Sequence, residues 1–190
     1  GRAEESLKLK KIAFSLFKEL NDNELASHLA RGVAEVSLLI GDIKSAKYYI
    51  PDSISWANND YLRMQGYAMW GKILHQNGLF KEAKDKFLEA ERMSDGELRG
   101  FEHFRFSDLL LDQGEYERVK NTTVKLLSDG NTISPVNRGI DKLLFGRVFM
   151  FQGKFGEAEE WLQEAIEDLR KSGEQHHLSN GLLSRAAFYR

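Results

Sequence analysis

The chain has 190 residues, room for one ordinary domain or two small ones, and its 42% hydrophobic and 29% charged content lets it bury a core. Lys and Arg number 27 against 29 Asp and Glu, a formal net charge of −2, which excludes nucleic-acid binding driven by bulk positive charge. Cysteine is absent, which excludes disulfides, thiolate metal sites and a cysteine nucleophile and fits a reducing, cytoplasmic setting; no apolar run nears the roughly 18 residues that span a bilayer.

Taken in chain order, residues 3–20 carry Leu9, Ile12, Ala13, Leu16, Phe17 and Leu20 at helical spacing, the pattern of the second helix of a pair. Four clusters follow, each a glycine, a large residue two positions on and a small apolar residue three beyond that. They are Gly41, Ile43, Ala46; Gly78, Phe80, Ala83; Gly114, Tyr116, Val119; and Gly153, Phe155, Ala158. The glycines recur from 41 to 78 to 114 to 153, intervals of 37, 36 and 39 residues, so the chain is a repeat array. Each unit reads as two helices joined at the glycine. Tyr67, Trp70, Gly71 and Leu74 line one face before the turn, and Phe80, Ala83, Phe87 and Ala90 line one face after it. A left-handed residue commonly closes a helix, and glycine adopts that conformation without a Cβ penalty. Gly71 with Ala83, and Gly146 with Ala158, fall where two antiparallel helices approach most closely. The spacing predicts units over 25–55, 61–95, 98–129 and 137–172. Residues 178–190 form the first helix of a truncated fifth unit, with Leu182, Ala186 and Tyr189 in the register of Tyr67, Gly71 and Leu74.

The second unit, with Tyr67, Trp70-Gly71, Leu74, Gly78, Phe80, Ala83, Phe87 and Ala90, resembles a tetratricopeptide repeat, and the fourth, with Phe145-Gly146, Phe149, Gly153, Phe155, Ala158, Leu162 and Ala165, does so nearly as well. The third and first units depart further, and the proline that usually closes each repeat is missing. The resemblance implies an all-α, right-handed superhelical solenoid of antiparallel helix pairs, acting as a non-catalytic module that binds a protein or peptide segment in its concave groove. The stretch Leu169-Arg170-Lys171-Ser172-Gly173, with His177-Leu178, Gly181-Leu182-Leu183, Arg185-Ala186-Ala187 and Tyr189-Arg190, is similar to repeats that trail bacterial signalling ATPases of the STAND type. That similarity implies a fragment of a larger signalling protein, and as an alternative function a structural sensor or oligomerisation arm that packs intramolecularly or senses a small effector.

The inward positions implied by the family fall on Lys72, His75 and Gln76, on Asp108 and Asp112 with Arg105 nearby, and on Arg147, Met150 and Phe151. They predict a mixed-charge groove with an apolar patch at Met150 and Phe151. The family's carboxylate clamp is not reproduced, because Lys72 stands where asparagine is expected and Glu102 where lysine is expected.

No phosphate-binding loop is present, and the glycines are spaced by the repeat. His176-His177 reads as a solvated loop between repeats, since helical neighbours point about 100° apart and no third ligand is evident. His103 reads as structural, and Asn58-Asn59-Asp60 as a loop and helix cap. Glu157, Glu159, Glu160, Glu164, Glu167 and Asp168 read as a solvated helix face rather than a converging acid pair. Trp70, Phe80, Phe87, Phe145, Phe149 and Phe155 read as core, while Trp56 and Trp161 lie outside the signature positions. No cofactor, metal or catalytic constellation is predicted, and no nucleic-acid or membrane partner. The apolar ends of the array are expected to favour self-association.

Overall fold

The structure is a computed structural model that describes residues 1–128, 134–173 and 175–189, with the side chain of His176 outside it. Asp129 and Arg190, the last residues of two predicted units, therefore lie outside the described residues. The described residues form ten α-helices and no strand. They cluster into two compact units, Gly1–Leu98 and Arg99–Arg190.

The first unit holds α1 (Arg2–Glu19), α2 (Asn23–Leu39), α3 (Ile43–Ser55), α4 (Asp60–Gln76) and α5 (Phe80–Arg92). Each helix packs on the next, and α2 also packs on α4. The second unit holds α6 (Gly100–Asp112), α7 (Tyr116–Ser128), α8 (Pro135–Phe151), α9 (Phe155–Ser172) and α10 (Gln175–Phe188). Here too each helix packs on the next, and α8 additionally packs on both α6 and α10.

One turn design joins the paired helices. Gly41, Gly78, Gly114 and Gly153 have φ between +72° and +81°, in the left-handed region. The amide after each glycine donates back to the carbonyl five residues earlier: Asp42 to Ser37 at 2.8 Å, Leu79 to Leu74 at 3.0 Å, Glu115 to Leu110 at 2.9 Å and Lys154 to Phe149 at 2.9 Å. This is the 6→1 bond of a Schellman motif, which satisfies a carbonyl that the helix end would leave open. The α1–α2 junction repeats it without glycine: Asn21 takes φ 55° and Asp22 donates to Phe17 at 3.0 Å. Asparagine tolerates this conformation better than most residues, which is why a search for glycines passes it over. Helix starts are capped by side chains, Asp22 on Leu25, Asp42 on Ser45, Asn59 on Leu62 and Ser134 on Asn137. Pro135 follows as the first residue of α8, where its missing N–H costs nothing.

Close helix contacts sit on the small residues. A Cβ added at Gly71 would lie 2.7 Å from the Phe87 ring, and one at Gly146 2.9 Å from the Leu162 side chain. Phe87, Leu162, Ala83 and Ala158 are completely buried, so these contacts have no slack to absorb a methyl group.

Two aromatic assignments are corrected. Phe80 and Phe155 are not core but 46% and 58% exposed. Each is the first residue of its helix, before the turn of helix that faces the partner. Phe80 leans on His75, with centroids 5.7 Å apart, and Phe155 on Phe188 at 5.9 Å. Trp56 packs beside Phe14, Ala26 and Ala30, and Trp161 sits edge-on to Phe145 at 4.8 Å.

Candidate functional site

The inward positions expected in the second unit lie on α6 and α8, which pack side by side. Arg147 on α8 donates to the carboxylate of Asp108 on α6, and its guanidinium also lies 5.7 Å from the Phe104 ring centroid. One cation thus ties two helices together and covers an aromatic face. Arg105 is only 11% exposed and pairs at 3.7 Å with Glu102, one turn earlier on α6. Asp112, at the end of α6, is exposed.

Met150 and Phe151 do not form one patch. Successive helical side chains diverge by about 100°, so Met150 packs on the Phe145–Phe149–Ala158 cluster while Phe151 stays half exposed. Phe151 instead stacks on Tyr116 across the α7–α8 contact, with centroids 5.5 Å apart and planes 12° from parallel. In the first unit, α4 places Lys72 and His75 half-buried and Gln76 exposed. The structure therefore unites Asp108 with Arg147 and Phe151 with Tyr116, turns Met150 into the core and pairs Arg105 along its own helix.

Several charged and polar residues escape a reading by periodicity. Asp141 on α8 is 3% exposed, and its Oδ1 has no hydrogen-bond partner among the described residues. Burial raises its carboxyl to about 7, against a smaller opposing pull from the Arg99 guanidinium. Register holds a signal for it. Asp141 precedes Gly146 by five residues as Gly66 precedes Gly71, and a Cβ at Gly66 would already lie 2.8 Å from Ile54. The position is a helix-contact site in both units, so whatever occupies it is buried. His103 is likewise buried, 3.3 Å from the Thr123 hydroxyl, and burial lowers its pKa to about 4.

His177 is corrected from a solvated loop to a buried residue of α10. Its ring stacks on Phe101 of α6 at 4.8 Å and meets Phe104 edge-on at the same distance. The side chain of His176 lies outside the described residues. Asp168 is also corrected: it leaves the solvated acidic face and is 8% exposed, bonded by Lys142 at 2.9 Å and by Arg138 at 3.2 Å. Burial alone would raise the Asp168 carboxyl, but these two cations hold it below the ordinary carboxylate value. Lys142 bonds Glu164 too, at 2.8 Å, and the two carboxylates outweigh burial and raise its pKa. The described residues contain no group of three or more metal-ligating side chains that would hold an ion, and no helix long and apolar enough to cross a membrane.

No protein-family model matches the sequence. No curated protein matches it either. Among solved structures, the chain is similar to BtubC (BKLC) from P. vanneervenii, with a TM-score of 0.73 at 12% identity, covering 100% of this chain and 84% of that one. At that identity the likeness concerns the all-α fold alone.

Proposed function

We propose that this chain is a non-catalytic repeat module of the tetratricopeptide type, a solenoid of helix pairs that holds an extended protein or peptide segment against the first helices of its pairs. The observation that carries the reading is the α6–α8 surface. Asp108, Asp112 and Arg147 present both signs of charge there, and half-exposed Phe151, stacked on the partly buried Tyr116, supplies a flat apolar anchor at the same end of α8. Aromatic anchors supply most affinity at such surfaces, while charges set orientation and specificity.

Panning the immobilised chain against a displayed random-peptide library tests the reading. Enriched peptides are expected to lose at least tenfold in affinity, about 1.4 kcal/mol, with Arg147→Glu and with Phe151→Ala. The exposed change Glu160→Lys is expected to leave binding intact. Normal binding by the first two variants and loss with the third would overturn the assignment.

A second reading draws on one observation. Arg147 and Asp108 neutralise each other, as in a wall that serves structure, which favours a sensor or spacer arm of a STAND-type signalling ATPase. On that reading the library yields no enriched peptide, and Arg147→Met lowers stability alone.

A further inference from the structure

The corner where α6 and α8 end and α7 begins sets an aromatic face among hydrogen-bond acceptors. Helices α6 and α8 run parallel. Gly100 of α6 meets Asn137 of α8, where an added Cβ would lie 2.9 Å from the Asn137 Oδ1, and further along Asp108 accepts from Arg147. Asp112 and Phe151 each follow that ion pair by four residues, about one helical turn, and each is the last residue of its helix. The register that joins Asp108 to Arg147 therefore brings exposed Asp112 alongside Phe151. On the α7 side Phe151 stacks on Tyr116, and the neighbours of those two residues repeat the link: Gln152 Nε2 donates to the Glu117 carboxylate at 2.9 Å.

Charge in this corner is unbalanced. Residues 112–117 contribute three carboxylates, Asp112, Glu115 and Glu117, and no cation. Neither α6 nor α8 carries a basic residue in its last turn, whereas α5, α7 and α9 do. Arg147 is held by Asp108, Arg118 lies over the Phe106 ring at 4.8 Å, and Lys154 lies over the Phe149 ring at 5.7 Å. Lys120 sits one turn along α7, and no ion pair joins it to Glu117 among the described residues. Glu117 bonds a neutral amide instead, and the buried Oε1 of that amide has no hydrogen-bond partner among the described residues. An aliphatic ligand group would cover the ring and leave the carboxylates unmatched, and an anionic one would be repelled. A guanidinium answers both features. Its plane stacks on a ring face that attracts cations, and its fork of N–H donors matches carboxylate oxygens better than an ammonium does.

We infer that the half-exposed face of Phe151 is a seat for an arginine side chain of the bound segment. The ring stacks on the guanidinium, and Asp112 and Glu117 accept its hydrogen bonds. The ligand class is then a peptide anchored by a basic residue. Naming a peptide as the ligand rests on the binding-module reading above; the guanidinium seat stands on the geometry of this corner.

A nuclear magnetic resonance titration of the 190-residue chain with N-acetyl-arginine N-methylamide tests it, with the citrulline analogue as a neutral probe of the same shape. The Phe151 and Tyr116 ring resonances are expected to move saturably with the arginine probe, and at least about fivefold more weakly with citrulline. Phe151→Leu keeps an apolar side chain but removes the ring face, and Glu117→Gln removes a charge. Each is expected to weaken arginine binding at least about threefold, followed at Tyr116, with an unchanged far-UV circular dichroism spectrum. Asp112→Asn replaces Glu117→Gln if that variant disturbs α7. No saturable shift, equal affinity for citrulline, or unchanged binding by Phe151→Leu would overturn the proposal. Its failure is distinct from that of the binding-module reading. Panned peptides that lack a basic residue would overturn the arginine seat alone, whereas saturable arginine binding with no enriched peptide would support the seat and count against the module.

Discussion

In the α4–α5 hairpin of the first unit the helices meet at Gly71 against the ring of Phe87, a contact of void against bulk. In the α6–α7 hairpin of the second unit the same repeat positions hold Ser107 and Thr123, both fully buried, with His103 one turn before Ser107. There Thr123 and His103 share a hydrogen bond, while the Ser107 hydroxyl has no partner among the described residues. The first hairpin depends on volume and has no tolerance for an added carbon. The second replaces part of that volume with polar groups whose desolvation must be offset, which makes it tolerant of size and sensitive to protonation.

Substitution at the paired positions breaks this comparison most directly. Gly71→Leu is expected to destabilise the first unit by about 3 kcal/mol, because a single Cβ already meets Phe87 at 2.7 Å and the ring is fully buried. Urea unfolding measures it, and a wild-type midpoint would show that the hairpin opens freely.

The effect of pH comes next and acts on the second unit. His103 has its pKa lowered to about 4 from 6.5, so between those values the unfolded chain takes up a proton that the fold refuses, and stability falls as pH drops from 6.5 to 4. Asp141 has its pKa raised from 3.8 to about 7, so the fold retains a proton that the unfolded chain releases, and stability falls as pH rises from 3.8 to 7. The two slopes are opposite, each about 1.4 kcal/mol per pH unit, and largely cancel in their shared window. Asp141→Asn removes one of them. That variant is expected to lose on the order of 3 kcal/mol between pH 6.5 and pH 4, while these two groups hold the wild-type chain nearly level. Parallel stability curves for the two proteins across that range would refute the opposition.

Smaller effects sharpen the picture. Thr123→Val keeps the shape and removes the partner of the buried His103 ring, for an expected loss of about 1–2 kcal/mol; the same change together with His103→Leu should recover part of it. Arg147→Met removes a partly exposed ion pair and is expected to cost about 0.5–1 kcal/mol, less at high salt. Ser107→Ala deletes a buried hydroxyl with no partner among the described residues and should change the melting point by less than the equivalent of about 0.5 kcal/mol.

The helix pairs were legible because their determinants are local. A glycine that must turn left-handed, a large residue two positions on and an alanine three beyond that are facts about neighbours in the chain, and they mark the hairpins at Gly78 and Gly153 without reference to anything distant. The same logic read Asn59 as a cap, and it accepts the Leu62 amide at 2.9 Å. It failed at Phe80 and Phe155 because an apolar residue at a periodic position is buried only where a partner helix covers that end of the turn. Of the inward positions, the sequence placed Asp108 and Arg147 on separate first helices 39 residues apart but held nothing to say that they pair.

What the sequence determined by itself was the all-α class and the rhythm of its turns, since backbone conformation and apolar spacing act within a few residues. Tertiary structure alone decided the electrostatics. Asp141, Asp168 and His177 look like ordinary polar residues in the chain, and each is buried only because another helix closes over it: burial then raises the Asp141 carboxyl, Lys142 and Arg138 lower that of Asp168, and Phe101 and Phe104 of α6 enclose the His177 ring. Desolvation and ion pairing depend on what lies across a few ångströms of space, and distances between helices are set by the fold rather than by separation along the chain.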